Sequence, residues 1–205
     1  MITIVNYGLG NVQAFENIYK RLNISVNIAS TPDQLRNGTK IILPGVGSFD
    51  WAMKRLNESG MRAALDKLVT VDRAPVLGIC VGMQMMTKRS DEGKLGGLGW
   101  IDAGVKKFDI SDLNQKAYLP HMGWNDVSLC MENGLFKTIE KDSRFYFLHS
   151  YYCCPENRKN ILSETDYYGP FASAIHHRNV FGVQFHPEKS HQWGIQLLKN
   201  FAELI

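Results

Sequence analysis

The sequence predicts an α/β fold: an open, mixed, mostly parallel sheet flanked by helices, with a smaller antiparallel strand-rich part. Two observations carry this. In the first 90 residues short apolar runs alternate with segments of helical periodicity, the pattern of parallel strands joined by right-handed crossovers. Beyond Arg89 the chain changes to short β-prone pieces separated by glycine, proline and asparagine.

Residues 2–6 read as a buried strand at the start, and Val12, Phe15, Tyr19 and Leu22 then recur at helical spacing. Residues 24–29 form a second strand. In Thr31-Pro32-Asp33 an N-cap hydroxyl and a proline at the first helical position start a short helix. A third strand over 40–43 stops at Pro44-Gly45-Val46-Gly47. Helical stretches over 49–56 and 61–69 lead to a fourth strand, 75–79, and a helix from about Gly82. In the second half, 104–108, 125–129 and 145–149 are β-prone. Residues 172–175 and 180–185 read as a hairpin, and Trp193, Leu197, Leu198 and Phe201 as the apolar stripe of a closing helix.

At 205 residues the chain suits one α/β domain, 1–205, with no repeat, low-complexity tract or linker. Hydrophobic residues make up 44% and charged residues 21%, a globular composition. Lys and Arg total 23 against 20 Asp and Glu, a net charge of +3 without a basic block, so nucleic acid is not an expected partner. The most apolar run, VLGICVGMQMM, is too short and too glycine-rich to span a bilayer, and no leader pattern opens the chain. Cys80, Cys130, Cys153 and Cys154 include no CxxC pair, and free thiols in a reducing cytoplasm are the simplest reading. The expectation is a cytoplasmic protein without a membrane segment.

In PVLGICVGMQ an apolar strand runs into G-x-C-x-G and then a helix. A residue on a sharp strand-to-helix turn exposes its side chain at the sheet edge, and glycines two positions either side remove Cβ atoms that would clash there. A sulfur at a helix N-terminus is also favoured as thiolate. A lone cysteine is most often buried structure, but the flanking glycines have no packing value in that reading. Cys80 is the candidate nucleophile.

Such a nucleophile needs a base, and six histidines are available. Residues 180–185 form a strand ending in His186-Pro187-Glu188, where an i, i+2 pair on extended backbone shares a face and proline biases its predecessor toward that conformation. Glu188 would accept the imidazole N–H and orient the ring, as a triad carboxylate does. A metal reading of His186 and Glu188 is weaker, because no second ligand cluster at zinc-like spacing accompanies them; no metal or cofactor is expected. The early Gly8-Leu9-Gly10 is a poor dinucleotide loop, since the third glycine would fall at Gln13.

The segments GICVGMQ and GVQFHPE resemble the class I, triad-type glutamine amidotransferases, a flavodoxin-like fold. NYGLGN at 6–11, LPGVGSF at 43–49, PHMGWND at 120–126 and FLHSYY at 147–152 are similar to the glutaminase subunits of imidazole glycerol phosphate synthase within that family, and the likeness covers essentially the whole chain. The resemblance implies that Cys80 attacks the side-chain amide of glutamine, forms a thioester and is freed by water with His186 as base. Backbone N–H groups at Val81 and in Gly45-Val46-Gly47 are the implied oxyanion site, in a loop expected to rearrange when a partner engages. Gly82, Gln84, Glu92, His149, Ser150 and Tyr151 match glutamine-holding positions, with Glu92 toward the ammonium and backbone near Ser150 toward the carboxylate.

Ammonia set free in neutral water is protonated and ceases to be a nucleophile, so it has to be delivered under cover. The resemblance implies a heterodimer with a (β/α)8-barrel cyclase subunit that makes imidazole glycerol phosphate and AICAR in histidine biosynthesis. Asn11, Trp124, Tyr146 and Lys189 match its interface positions. Segments such as VGSFDWAMKRLNESGMR and GLGWIDAGVKKF also resemble a paralogous branch that supplies ammonia to amidate a surface-polysaccharide acetamido sugar. The other classes left open are a cysteine hydrolase or redox sensor without glutamine specificity, and an interaction subunit without turnover.

Overall fold

The computed structural model describes residues 1–109, 118–140 and 143–205. Its main sheet has eight strands: β1 (Ile2–Val5), β2 (Val26–Ala29), β3 (Lys40–Gly45), β4 (Val76–Cys80), β8 (Ser128–Leu129), β11 (Ile161–Asp166), β12 (Pro170–His177) and β13 (Val180–Val183), in the order β2-β1-β3-β4-β13-β12-β11-β8. The first five in that order run parallel, and β12, β11 and β8 continue antiparallel. Three short strands, β5 (Arg89–Ser90), β6 (Ala103–Lys107) and β10 (Tyr151–Pro155), make a second sheet, and β7 (His121–Asp126) pairs with β9 (Arg144–His149) in a third. The expected mixed, mostly parallel sheet with a smaller antiparallel part is what the chain forms.

The helices follow from local signals. α1 (Val12–Arg21) buries Phe15 and Tyr19, and its Asn11 N-cap accepts Ala14 N–H at 3.3 Å. α2 (Pro32–Leu35) starts at Thr31, whose hydroxyl accepts Gln34 N–H at 3.4 Å, with Pro32 pre-set in the first turn. α3 (Phe49–Glu58) buries Phe49, Ala52, Met53 and Leu56, and α4 (Arg62–Asp66) runs into one π-helical turn, Lys67–Val71. α5 (Val81–Met85) is short and wholly buried, and α6 (His191–Leu204) closes the fold on Leu197, Leu198 and Phe201. No described helix is long and apolar enough to cross a membrane.

Three expectations need correction. β3 does not stop at Leu43: it continues through Pro44 and Gly45, because Gly45 still pairs with Cys80 of β4 and proline needs no ladder donor there. The stretch 125–129 is not one strand; β7 spans His121–Asp126, and buried Val127 separates it from β8 in another sheet. The closing strand ends at Val183 rather than Phe185. β10 and β11 were not singled out by periodicity. β11 is buried except at Glu164 and Asp166, and β10 is half-buried with Cys153 and Pro155 inside and no charged residue, so neither alternates in polarity.

Candidate active site

Cys80 is the last residue of β4, a fully buried strand held between β3 and β13. Its backbone sits at φ +53°, ψ −113°, and it caps α5. A non-glycine residue in that region stores roughly 1–3 kcal/mol of strain, which the surrounding packing must hold. The flanking glycines make the bend sterically possible. A Cβ on Gly82 would overlap the Leu43 carbonyl oxygen, and one on Gly78 would lie 2.6 Å from Met86 Cε and 2.7 Å from Met83 N.

Parallel pairing of Val183 with Ile79 brings the chain after β13 alongside Cys80. His186 does not extend the strand: it caps a 3₁₀ turn, Pro187–Lys189, with φ −101° and ψ 94°. His186 itself keeps the extended backbone expected before proline, but the same-face geometry expected for His186 and Glu188 is replaced by a turn, begun by Pro187. The contact is nonetheless made: His186 Nδ1 lies 2.9 Å from Glu188 Oε1, with the two side chains 5% and 3% exposed. A carboxylate there holds the proton on Nδ1 and leaves Nε2 as the second ring nitrogen for chemistry. Burial pulls the imidazole pKa down, but hydrogen bonds to Cys80 and Glu188, and their negative charges, outweigh it and push it well above its ordinary value. The ring is built to carry a proton beside the sulfur.

Ser190 fixes this turn. Its hydroxyl donates to the His186 carbonyl at 2.7 Å and accepts Tyr146 N–H at 3.0 Å, while His186 N–H donates to the Tyr146 carbonyl at 2.8 Å. Base and neighbouring strand β9 are thereby locked together.

A cavity of about 290 Å³ opens over the sulfur, at the small end for ligand sites. Of the expected residues, Val46, Gly47, Val81, Gln84, Glu92, His149, Ser150, Tyr151 and Lys189 line it with Cys80 and His186. Gly45 and Gly82 stand behind the wall, where a Cβ on Gly45 would press on the Gly82 backbone nitrogen. Glu92 Oε2 accepts Phe49 N–H at 2.8 Å. His149 contributes a neutral wall. Its Nδ1 meets the Tyr151 carbonyl at 2.9 Å and its Nε2 meets His121 Nδ1 at 3.1 Å. Burial is the main cause that lowers the His149 pKa to about 3 and that of His121 to about 4. Among the described residues no cluster of three or more His, Cys, Asp or Glu is placed to hold a metal ion.

Beside the cavity, β7 and β9 alternate strictly. His121, Phe145, Phe147 and His149 face inward; Met122, Trp124, Tyr146 and Leu148 share the outer face through the pairs Met122 with Leu148 and Trp124 with Tyr146. Met122 and Trp124 are 65% and 42% exposed. Lys189 Nζ lies 5.6 Å from the Tyr146 ring centre, and Trp124 stacks on His191. Asn11 is exposed beyond Gly10, which packs against Pro44. The four expected interface positions are thus on the surface or at the cavity rim.

Sequence reasoning missed Gln184, Ser190, His121 and Tyr7. Gln184 and Ser190 are completely buried polar residues beside the triad candidates, and Tyr7 donates to the Pro44 carbonyl at 2.8 Å behind the 45–47 loop. For Gln184 the signal was a polar residue inside the apolar run VFGVQF; Tyr7 and His121 lay in the segments NYGLGN and PHMGWND without being given a role.

A family model described as glutamine amidotransferase class-I matches residues 3–204. A Bdellovibrio bacteriovorus protein named imidazole glycerol phosphate synthase subunit HisH is 58% identical over 205 residues, covering 100% of both chains. A Leptospira interrogans protein of the same name is 49% identical over 204 residues, again covering 100% of both. A solved structure of a glutamine amidotransferase superposes with a TM-score of 0.73 at 16% identity, covering 98% of each chain; at that identity the likeness concerns the fold.

Proposed function

The chain belongs to the class I glutamine amidotransferases, and from that premise we propose that it is the glutaminase subunit of an imidazole glycerol phosphate synthase, with Cys80, His186 and Glu188 as its triad. The full-length identity to relatives bearing that subunit's name supports the assignment. The observation that carries the chemistry is the joined arrangement of Cys80 at its strained bend, His186 interacting with the sulfur, and Glu188 on the far ring nitrogen. We read residues 1–205 as one such domain.

The Cys80 thiolate attacks the side-chain amide carbon of glutamine, whose C=O electrons move onto oxygen. The Val81 N–H, at the start of α5, and those of the 45–47 loop are the donors proposed for this oxyanion. The intermediate collapses as the imidazolium of His186 protonates the leaving nitrogen, giving ammonia and a Cys80 thioester. Neutral His186 then takes a proton from water as it adds to the thioester carbon. The C–S bond breaks, glutamate leaves, and thiolate and imidazolium are restored. Glu92 faces the substrate ammonium and backbone groups near Ser150 the carboxylate.

The other product requires a second chain, for which a (β/α)8-barrel cyclase subunit is the proposed partner. The outward apolar face of β7 and β9, with Lys189 at the rim, suits such docking. The test is glutamate and ammonia release from glutamine, with and without the cyclase. Cys80→Ala is expected to abolish turnover of glutamine while the complex still makes imidazole glycerol phosphate from added ammonium salt. Persistent glutamine turnover would remove Cys80 from the mechanism. Synthesis of an amidated acetamido sugar instead would move the subunit to the paralogous branch.

A further inference from the structure

Gln184 is completely buried, and its side-chain nitrogen lies 3.6 Å from Cys80 Sγ. The direction of that contact is dictated by a chain of hydrogen bonds. The Tyr151 carbonyl can only accept, so the group of Gln84 facing it at 3.0 Å must be its NH₂. The second proton of that NH₂ points to Gln184 at 3.1 Å, which must present its carbonyl oxygen. The NH₂ of Gln184 is then left facing the sulfur. A flip of either amide would set donor against donor or acceptor against acceptor between two buried side chains, Gln84 at 2% and Gln184 at 0% exposure. The main chain at Gln184 is held as well, its N–H donating to the Ser173 carbonyl at 2.8 Å.

We propose that Gln184 is a further residue of the glutaminase site, a fixed amide donor that stabilises the Cys80 sulfur as an anion. This deepens the triad reading and rests on it. Besides His186, the sulfur has two neighbours that act in opposite directions: the Leu148 carbonyl, 3.9 Å away, which an S–H can reach as donor, and the Gln184 N–H, which favours the sulfur lone pairs. An N–H aimed at sulfur is strengthened when charge is there and weakened when it is not. It therefore acts twice: on the sulfur as it becomes an anion for attack, and on the sulfur that regains its electron pair when the thioester C–S bond breaks. In between, when sulfur is bound to the acyl carbon, it contributes little, so its effect is selective for the charged states.

The other titratable groups around the sulfur come from three elements: His186 with Glu188 in the turn after β13, the Tyr7 phenol following β1, and Cys153 on β10. Glu92, His149 and Lys189 line the same cavity. Substitutions at Gln184 leave all of these in place.

The experiment is the pH dependence of Cys80 alkylation by iodoacetamide in the full chain, without glutamine, so it reads the sulfur whether or not the chain is a glutaminase. Gln184→Met removes the donor at similar length and is expected to move the inflection upward by about one pH unit, roughly tenfold less reactive sulfur below it. Gln184→Glu keeps an oxygen for Gln84 but turns an acceptor toward the sulfur, and is expected to move the inflection further up. An inflection unmoved in a folded variant would overturn the proposal, as would a Met variant shifted more than the Glu variant. Should neither variant fold, the side-chain amide resonances of Gln184 in ¹⁵N-labelled wild-type chain decide. They are expected to follow the Cys80 inflection and to lose that response after alkylation; resonances indifferent to it overturn the proposal.

Discussion

Glu92 Oε2 accepts the backbone N–H of Phe49 at 2.8 Å, so a carboxylate that lines the cavity also satisfies the first turn of α3, directly after the 45–47 loop. The opposite tie is made by Asp50, whose carboxylate accepts the N–H groups of Lys94 and Leu95 at 2.9–3.1 Å. Loop and helix therefore cap each other. Two roles in one side chain can be separated. Glu92→Gln keeps an oxygen for Phe49 and loses the charge, so glutamine KM is expected to rise about tenfold or more with little change in Tm. Glu92→Ala is expected to add a loss of about 1 kcal/mol in stability, the usual cost of a helix cap. Steady-state kinetics beside thermal unfolding checks both; an unchanged KM in Glu92→Gln would detach this residue from the substrate.

Glu188 accepts the Nδ1 proton of His186 in a place where its other oxygen, Oε2, has no partner among the described residues. Its charge is thus directed almost wholly at the imidazole. Glu188→Gln preserves the shape and removes the charge, so kcat is expected to fall by on the order of 10² to 10⁴, with KM nearly unchanged. A variant retaining full kcat would show that His186 needs no carboxylate.

The strand-to-helix bend at Cys80 depends on Gly82, where a Cβ would overlap the Leu43 carbonyl oxygen on the adjacent strand. Backbone cannot give way as a flexible side chain does. Gly82→Ala is expected to destabilise the fold by roughly 1–3 kcal/mol or more, measured by urea unfolding. Gly99→Ala is the contrasting case: its Cβ meets nothing within 4 Å, but its φ of +70° makes the substitution strained by backbone alone. Equal stability of Gly82→Ala and wild type would refute the steric account.

His121 and His149 are buried and neutral, with pKa values lowered to about 4 and about 3. The unfolded chain binds protons on these histidines from about pH 6.5 downward, while the folded chain does not until pH 4 or 3. Between those limits the unfolded state holds more protons, so stability falls as pH falls. Urea unfolding from pH 7 to pH 4.5 is expected to show this slope. His121→Asn is expected to flatten it, and a slope identical to wild type would assign the acid sensitivity elsewhere.

Much of the site was legible because its signals are local. The glycines around Cys80 are two residues away on either side, and Glu188 is two residues from His186, so bend and pair are written in adjacent positions. Even there the conformation differed in part: His186 is extended as expected, but Pro187 starts a 3₁₀ turn, and this turn brings the Glu188 carboxylate to Nδ1 of the ring. The helix starts at Asn11 and Thr31 were equally local, as were the buried stripes of α1 and α6. The strand boundaries at 43, 125–129 and 185 were less so, because pairing with a distant neighbour decides where a strand stops.

What the amino-acid sequence determined by itself was the fold class, the nucleophile candidate and its base, since each rests on residue types at short, fixed spacing. What only the tertiary structure decided was the company they keep. Gln184 reaches Cys80 across 104 positions, and His121 reaches His149 across 28, through strand registers that no single segment encodes. Glu92 meets the start of α3 by the same kind of long-range closure. Hydrogen bonds act over about 3 Å whatever the distance along the chain, so the polar surroundings of a site become visible only once the strands are in register.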